Sequence, residues 1–313
     1  MRIGVDFLTI HEMYDMFLLE QEFRNNSPVT ICWYKEQLEE FFIWLMNNIP
    51  KAYNDPAELN LLNFKRYGVH LKQQTKRNGD RLSSSSVHGS LRAVKAFYNF
   101  CIGEDYLDDI SRQLRLPKVH CKEQLILDDS EIIKLLRACD DSFSHYSLRN
   151  KCFVLLMLDS GLRRGEIPRI NMGDVTFHTK SMIIRGKGSK QRLIPIGYQT
   201  CELLLNYCLK YRHGAAGSEP FFVDQRGERC SDNLIKQIFK RLKDTTGIER
   251  LHPHLLRHTF ATYYLADGGD LETLRLILGH SNIQTTQMYL HLAFNLKLQR
   301  SRHNSHIDKL FDH

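Results

Sequence analysis

The chain has 313 residues, 42% hydrophobic and 25% charged, a composition that excludes a disordered tail or a collagen-like repeat and leaves room for two globular cores. Lys and Arg outnumber Asp and Glu by 43 to 36, a net charge of +7 that permits DNA or an anionic membrane surface as partner without requiring either. No apolar run approaches the ~20 residues of a membrane span, the first residues lack a secretory core, and the eight cysteines contain no C-x-x-C pair. The chain therefore reads as a cytoplasmic protein with reduced thiols and neither a disulfide framework nor a zinc cluster.

The first 115 or so residues read as helix, with no internal repeat. Residues 30–45 place Ile31, Trp33, Tyr34, Leu38, Phe41, Phe42 and Leu45 close to a 3.6-residue period. Asp55-Pro56 is expected to open a second long helix reaching about Leu71. The polar stretch 73–86 ends in four serines and suits a loop and a helix start. Residues 87–101 return to helix, with Leu91, Val94, Phe97 and Tyr98 on one face. Pro117, in Leu116-Pro117-Lys118-Val119-His120-Cys121-Lys122, then breaks the pattern, as an interdomain linker or as a plain surface loop.

The second part is mixed. Asp128-x-x-Glu131 looks like a capped helix start, and residues 146–160 form a buried helix. Residues 181–185 and 191–196 are short strands joined by the turn Gly186-Lys187-Gly188-Ser189-Lys190, and helices dominate from there to the end.

Several residues in this part carry chemical potential. Arg163 and Glu166 stand three apart, sharing a face if helical, so the carboxylate can orient the guanidinium toward a phosphate or merely form a surface ion pair. Pro253 suits the first position of a helix, which sets His254 and Arg257 in its first turns, where an anion is favoured. His254 and His258 have a metal-ligand spacing, but Leu255 stands where the H-E-x-x-H motif needs its glutamate, and backbone contacts can equally satisfy both rings. Gly279 suits a helix C-cap and Ser281 with Gln284 a capping box, so His280 lies in a tight turn between helices. Tyr289 follows about 12 Å along the second helix and reaches that turn only if the helix folds back or swings; otherwise it is core or interface. Lys187 sits at a hairpin tip without P-loop spacing, as a catalytic group or a solvated turn lysine. Together, two arginines, histidines, a lysine and a tyrosine without paired acidic ligands suit metal-free chemistry on a phosphodiester. The arginines offset oxygen charge, the tyrosine attacks, and histidine and lysine move protons.

From Ser160 to Tyr289 the chain resembles the catalytic domain of tyrosine recombinases, the phage integrases and Xer-type enzymes. The resemblance rests on Ser160-Gly-Leu-Arg163-Arg-Gly-Glu166, the hairpin Lys187, His254-Leu-Leu-Arg257-His258 followed by Thr-Phe-Ala-Thr, Leu278-Gly279-His280, and Tyr289 nine residues on. It implies a mainly α fold with a small β-sheet hairpin: a helical core-binding domain over residues 1–117, a linker over 118–123, and an α+β catalytic domain with a C-terminal tail over 124–313. It also implies a site-specific recombinase of DNA integration, mobile elements or chromosome resolution, acting as a homo-tetramer on paired double-stranded DNA sites with no cofactor and no metal. Tyr289 would attack the scissile phosphorus to give a 3′-phosphotyrosine. Arg163, Arg257 and His280 would hold the phosphate oxygens, His254 accept the tyrosine proton, Lys187 protonate the leaving 5′-oxygen, and Glu166 orient Arg163. A type IB topoisomerase and a DNA-binding relic remain as alternatives, the full set of reactive residues speaking against the relic.

Two further features belong to this resemblance. Ile167-Pro168-Arg169-Ile170 departs from the family's leucine-rich helix, and Pro168 is expected to shorten that helix while leaving Arg163 and Glu166 in place. After Tyr289, Leu290, Leu292, Phe294, Leu296 and Leu298, then Ile307, Leu310 and Phe311, either pack on their own domain or, as in the family, dock on a neighbouring protomer.

Overall fold

A computed structural model describes residues 8–75, 79–118, 126–140, 146–186 and 191–300. Two compact units emerge, Met1–Lys122 and Glu123–His313. Three expectations fall outside the described residues: the linker segment 119–123, the hairpin tip with Lys187, and the tail residues Ile307, Leu310 and Phe311.

The first unit is helical: α1 (Ile10–Phe23), α2 (Pro28–Asn48), α3 (Pro50–Asn54), α4 (Leu61–Gln73) and α5 (Ser84–Gly103). Side-chain caps set most of the starts. Thr9 closes a capping box with Glu12, Ser27 accepts from the Thr30 N–H ahead of Pro28, and Ser83 accepts from the Ser86 N–H. The period of α2 buries Leu38, Phe41, Phe42 and Leu45 against Phe17, Tyr67, Phe97 and Tyr98. The expected long helix from Asp55-Pro56 does not form. Pro56–Glu58 makes only a 3-10 turn, after which Asn60 is extended and its side chain accepts from the Leu62 and Asn63 N–H groups. Those two satisfied donors start α4 at Leu61 instead.

The second unit carries α6 (Asp129–Asp140), α7 (Ser147–Ser160), β1 (Val175–Thr176), β2 (Ser181–Arg185), β3 (Gln191–Pro195), α8 (Tyr198–Tyr211), α9 (Asp232–Thr246), α10 (Pro253–Ala266), α11 (Leu271–Leu278) and α12 (Gln284–Arg300). Asp128 and Glu131 form the expected reciprocal cap at 2.9 and 3.1 Å. The sheet is antiparallel in the order β1-β2-β3, with Met182 opposite Ile194 and Ile183 opposite Leu193. Met182, Ile184 and Ile194 face the core, while Ile183 and Leu193 are exposed, as alternation requires. Two-residue β1 is too short to leave a periodic signal.

The segment after α7 is tighter than an α-helix. Gly161 ends α7 at φ 61°, and a Cβ there would lie 2.4 Å from the Phe260 ring, so glycine is needed both for the turn and for the approach of α10. Arg163 is extended, and Arg164–Arg169 forms a 3-10 helix holding Pro168, after which the chain runs extended at Ile170. Pro168 shortens the helix as expected. Among the described residues no helix is long and apolar enough to cross a membrane.

Candidate active site

Arg257 joins three elements. His252 caps α10, its Nδ1 accepting from the Leu255 N–H at 2.9 Å, and Pro253 fills the first helical position. One turn on, the buried Arg257 donates to the Gly161 carbonyl at 2.6 Å, the Leu278 carbonyl at 2.7 Å and His280 Nε2 at 3.0 Å. The guanidinium thus consumes carbonyls left free where α7 and α11 end. Burial lowers its pKa to about 10, and Arg163 adds to the effect; it stays a cation at neutral pH.

His280 is fixed by the turn beneath it. Gly279 ends α11 at φ 62°, the His280 N–H reaches the Arg275 carbonyl at 3.1 Å, and Arg275 Nη1 returns to the His280 carbonyl at 2.7 Å. Arginine can only donate, so His280 Nε2 accepts from Arg257 and the ring proton sits on Nδ1, 2.9 Å from the Thr286 hydroxyl. Burial, then Arg257, Arg163 and Arg192, pushes the pKa down to about 4, in keeping with a neutral ring. The expected Ser281 cap is not made. Asn282 takes the role, its Oδ1 accepting from the Gln284 N–H at 2.9 Å, because a side chain two residues ahead reaches this N–H.

Arg163 and Glu166 pair as expected, but through the 3-10 turn. The Arg163 N–H donates to Glu166 Oε2 at 2.8 Å and Nη1 to Oε1 at 3.1 Å, while Nη2 reaches the Gly279 carbonyl at 3.4 Å. From β3, Arg192 donates through Nη2 to Glu166 Oε2 and through Nε to the Ile277 carbonyl, both at 2.8 Å. Burial disfavours the Glu166 charge, but Arg192 and then Arg163 outweigh it and hold the carboxyl below its ordinary range.

Arg163, Arg192 and His280 border a cleft of about 820 Å3, with Arg257 buried behind His280; Arg164, Arg169, Arg185, Arg275 and His254 also line it, and Glu166 is its only carboxylate among the described residues. His254 is exposed on this wall; partial loss of solvent, then Arg257 and its neighbours, lowers its pKa. An open recess with fixed cations and neutral imidazoles suits a phosphodiester.

Tyr289 is brought close but is not on the lining. It is 2% exposed on α12, packed with Ala261, Leu274 and Leu278, and its hydroxyl lies 2.8 Å from His258 Nδ1. The histidine at the tyrosine is therefore His258 rather than His254: the two share one face of α10, and His258, about 6 Å further along the axis, is the one level with Tyr289. Burial lowers the His258 pKa to about 4, with His254 and His252 adding to it. Burial raises that of Tyr289 against the pull of Arg257 and Arg163, so a neutral phenol rests on a neutral imidazole. Among the described residues no group of three or more His, Cys, Asp or Glu side chains is placed to hold a metal ion.

Arg192, Thr286 and the contact made by His258 escaped the sequence reading. Arg192 stands between Gln191 and Leu193 in a short strand, which is all a sequence shows of it, and Thr286 lies one turn before Tyr289 on the same face, a placement that could have flagged it.

Residues 126–295 match the phage integrase family. The tyrosine recombinase XerC of Chlamydia caviae is 31% identical over 237 residues, covering 74% of this chain and 74% of that one. XerC of Bacillus subtilis is 29% identical over 299 residues, 92% of this chain and 93% of that one. The Tn1549 transposon integrase, solved in complex with transposon right end DNA, shares the fold with a TM-score of 0.70 at 18% identity, over 92% of this chain and 98% of that one. The chain belongs to the phage integrase family of tyrosine-type site-specific recombinases.

Proposed function

We propose that the chain cleaves and rejoins double-stranded DNA at specific sites through a 3′-phosphotyrosine at Tyr289, with the arginine-lined cleft holding the scissile phosphate. The observation that carries this is the meeting of Arg163 and His280 on one cleft, with Arg257 bonded to His280 from behind and the Tyr289 hydroxyl 2.8 Å from a neutral imidazole of the same helix as Arg257. Arg163 keeps 37% of its side chain exposed and only a long 3.4 Å bond to Gly279, so its fork can turn onto a phosphate oxygen while Glu166 holds its other edge. An arriving phosphodiester brings negative charge beside His280 and His254 and raises their proton affinity, turning them into donors to the non-bridging oxygens. Arg163 and Arg257 then offset the charge of the pentacoordinate transition state.

The 2.8 Å contact favours His258 as first acceptor of the tyrosine proton, the role the resemblance gives to His254. At a pKa near 4 His258 is a poor base at rest, which keeps the phenol protonated until the phosphate is bound. The Tyr289 oxygen forms a bond to phosphorus, the bond to the 5′-oxygen breaks, and Lys187 supplies that oxygen's proton, a role carried over from the resemblance. One phosphoester replaces another, so the exchange needs no energy source. Rejoining reverses these steps with a different 5′-hydroxyl.

Attack requires Tyr289 to move into the cleft, hence a shift of α12. Leu290, Phe294 and Leu298 are 44%, 60% and 55% exposed and recur every four residues along this helix. That stripe suits a neighbouring protomer in a homo-tetramer on paired sites. The test is recombination between two sites in excess EDTA. Recombinant product is expected. Relaxation of supercoils without recombinants would point to a topoisomerase, and loss of cleavage restored by magnesium would overturn the metal-free reading.

A further inference from the structure

Beside the cleft lies a second recess of about 450 Å3, walled by Arg169, Asn171, Arg185, Gly186, Gln191 and Arg229. Three guanidinium groups border it, and among the described residues no carboxylate lines it. Arg185 spends one Nη on the buried Asp174 at 2.8 Å. Arg229 is pinned by its far edge: Nη1 donates to the Pro168 carbonyl at 2.6 Å and Nη2 to Asn171 Oδ1 at 2.8 Å. Arg169 is exposed and makes no hydrogen bond or ion pair with any described residue.

The arrangement follows from the proline that interrupts Arg164–Arg169. A 3-10 helix that ends at once leaves the Pro168 carbonyl to Arg229, whose Nη1 also lies 3.5 Å from the Ile170 carbonyl, already bonded by the Phe221 N–H at 2.9 Å. This fixes one cation at the floor while Arg169, next to the proline, projects free. Asn171 presents its amide N–H groups once its oxygen is used by Arg229. The recess is rich in donors, carries a net positive charge after Asp174 is counted, and has no aromatic lining on which a base could stack. Those are the features of an anion site.

Arg169 and Arg185 line the larger cleft as well, so the two recesses share a wall. Consecutive phosphates of one strand advance only about 3.4 Å along a duplex. We propose that this recess binds a second backbone phosphate, flanking the scissile one on the same strand, with Arg169 and Arg229 as its contacts. The proposal rests on the scissile phosphate occupying the larger cleft, and it assigns Arg169 a role in holding the register of DNA rather than in the chemistry.

The test is the salt dependence of binding to a mixed-sequence duplex of about 30 base pairs, for which the logarithmic slope changes by about 0.9 per phosphate contact. Wild type is compared with Arg169→Ala, Arg163→Ala, their double variant, and Lys210→Ala on α8, outside both recesses. Each cleft variant is expected to lose about 0.9 from the slope and the double about 1.8, with Lys210→Ala unchanged. Arg169→Lys should keep most of the slope. Since Arg169 has no partner to lose among the described residues, the melting temperature of Arg169→Ala should match wild type. A wild-type slope for Arg169→Ala beside a reduced one for Arg163→Ala overturns the second site alone. A double variant no weaker than either single also overturns it, because both arginines would then share one phosphate. Unchanged slopes for both singles would overturn the placement of DNA in the larger cleft as well.

Discussion

Replacing Arg192 by leucine should cost both stability and catalysis, because Arg192 holds the carboxylate that orients Arg163. Its side chain is 14% exposed and makes two 2.8 Å bonds, to Glu166 Oε2 and to the Ile277 carbonyl. A hydrogen bond to a charged group contributes about 1.5–3 kcal/mol, and an orphaned buried carbonyl costs about 1 kcal/mol more. Glu166 keeps two bonds from Arg163, which limits the damage to the carboxylate. The sum is about 2.5–4 kcal/mol, which in a domain of this size lowers the melting temperature by about 5–16 °C. The Glu166 carboxyl also loses its main charge-stabilising partner, so its pKa rises and its hold on Arg163 loosens. A displacement of Arg163 by an ångström or so slows single-turnover cleavage by about 100-fold. Arg192→Lys retains the charge without the fork and should fall between the two proteins on both scales. Thermal unfolding and cleavage of a nicked suicide substrate measure the two effects. If Arg192→Leu melts and cleaves like wild type, the bridge from β3 to the Arg163 turn has no energetic meaning.

Two more expectations come from the same geometry. His258 and His280 sit near 4 when folded against 6.5 ordinarily, so between those values the unfolded chain binds more protons and stability falls as the pH drops. The melting temperature should be level above about pH 7 and decline below about 6.5, less steeply in His280→Gln; a flat profile across that window contradicts the buried neutral rings. On α12, Phe294→Asp alters the exposed stripe and leaves the buried Thr286, Tyr289 and Ala293 in place. It should bind DNA as a folded monomer yet assemble poorly on paired sites in sedimentation, as should a chain truncated after Arg300; assembly like wild type by both would refute docking in trans.

What the sequence disclosed was local. Pro253, Gly279 and the Asp128 cap declare themselves because proline, left-handed glycine and side-chain caps act within a few residues. The pairing of Arg163 with Glu166 survived a wrong local geometry, since a 3-10 turn also brings residues three apart together. Long-range partners were not legible. Arg192 meets Glu166 across 26 positions and His258 meets Tyr289 across 31, distances over which no spacing rule operates. The choice between His254 and His258 at the tyrosine depended on where along α10 Tyr289 docks, which its packing against Ala261, Leu274 and Leu278 decides. The Asp55-Pro56 helix failed for a similar reason: Asn60 offered a better cap than a proline start.

The assignment of Tyr289 as nucleophile can be tested on a nicked suicide substrate that traps the covalent complex. Tyr289→Phe keeps the ring packed against Ala261, Leu274 and Leu278 and removes only the hydroxyl held by His258. Wild type should yield DNA joined through its 3′-phosphate to the peptide containing Tyr289, while Tyr289→Phe binds the same DNA and forms no adduct. An adduct formed by Tyr289→Phe, or one mapped to another residue of the wild-type chain, would contradict the assignment.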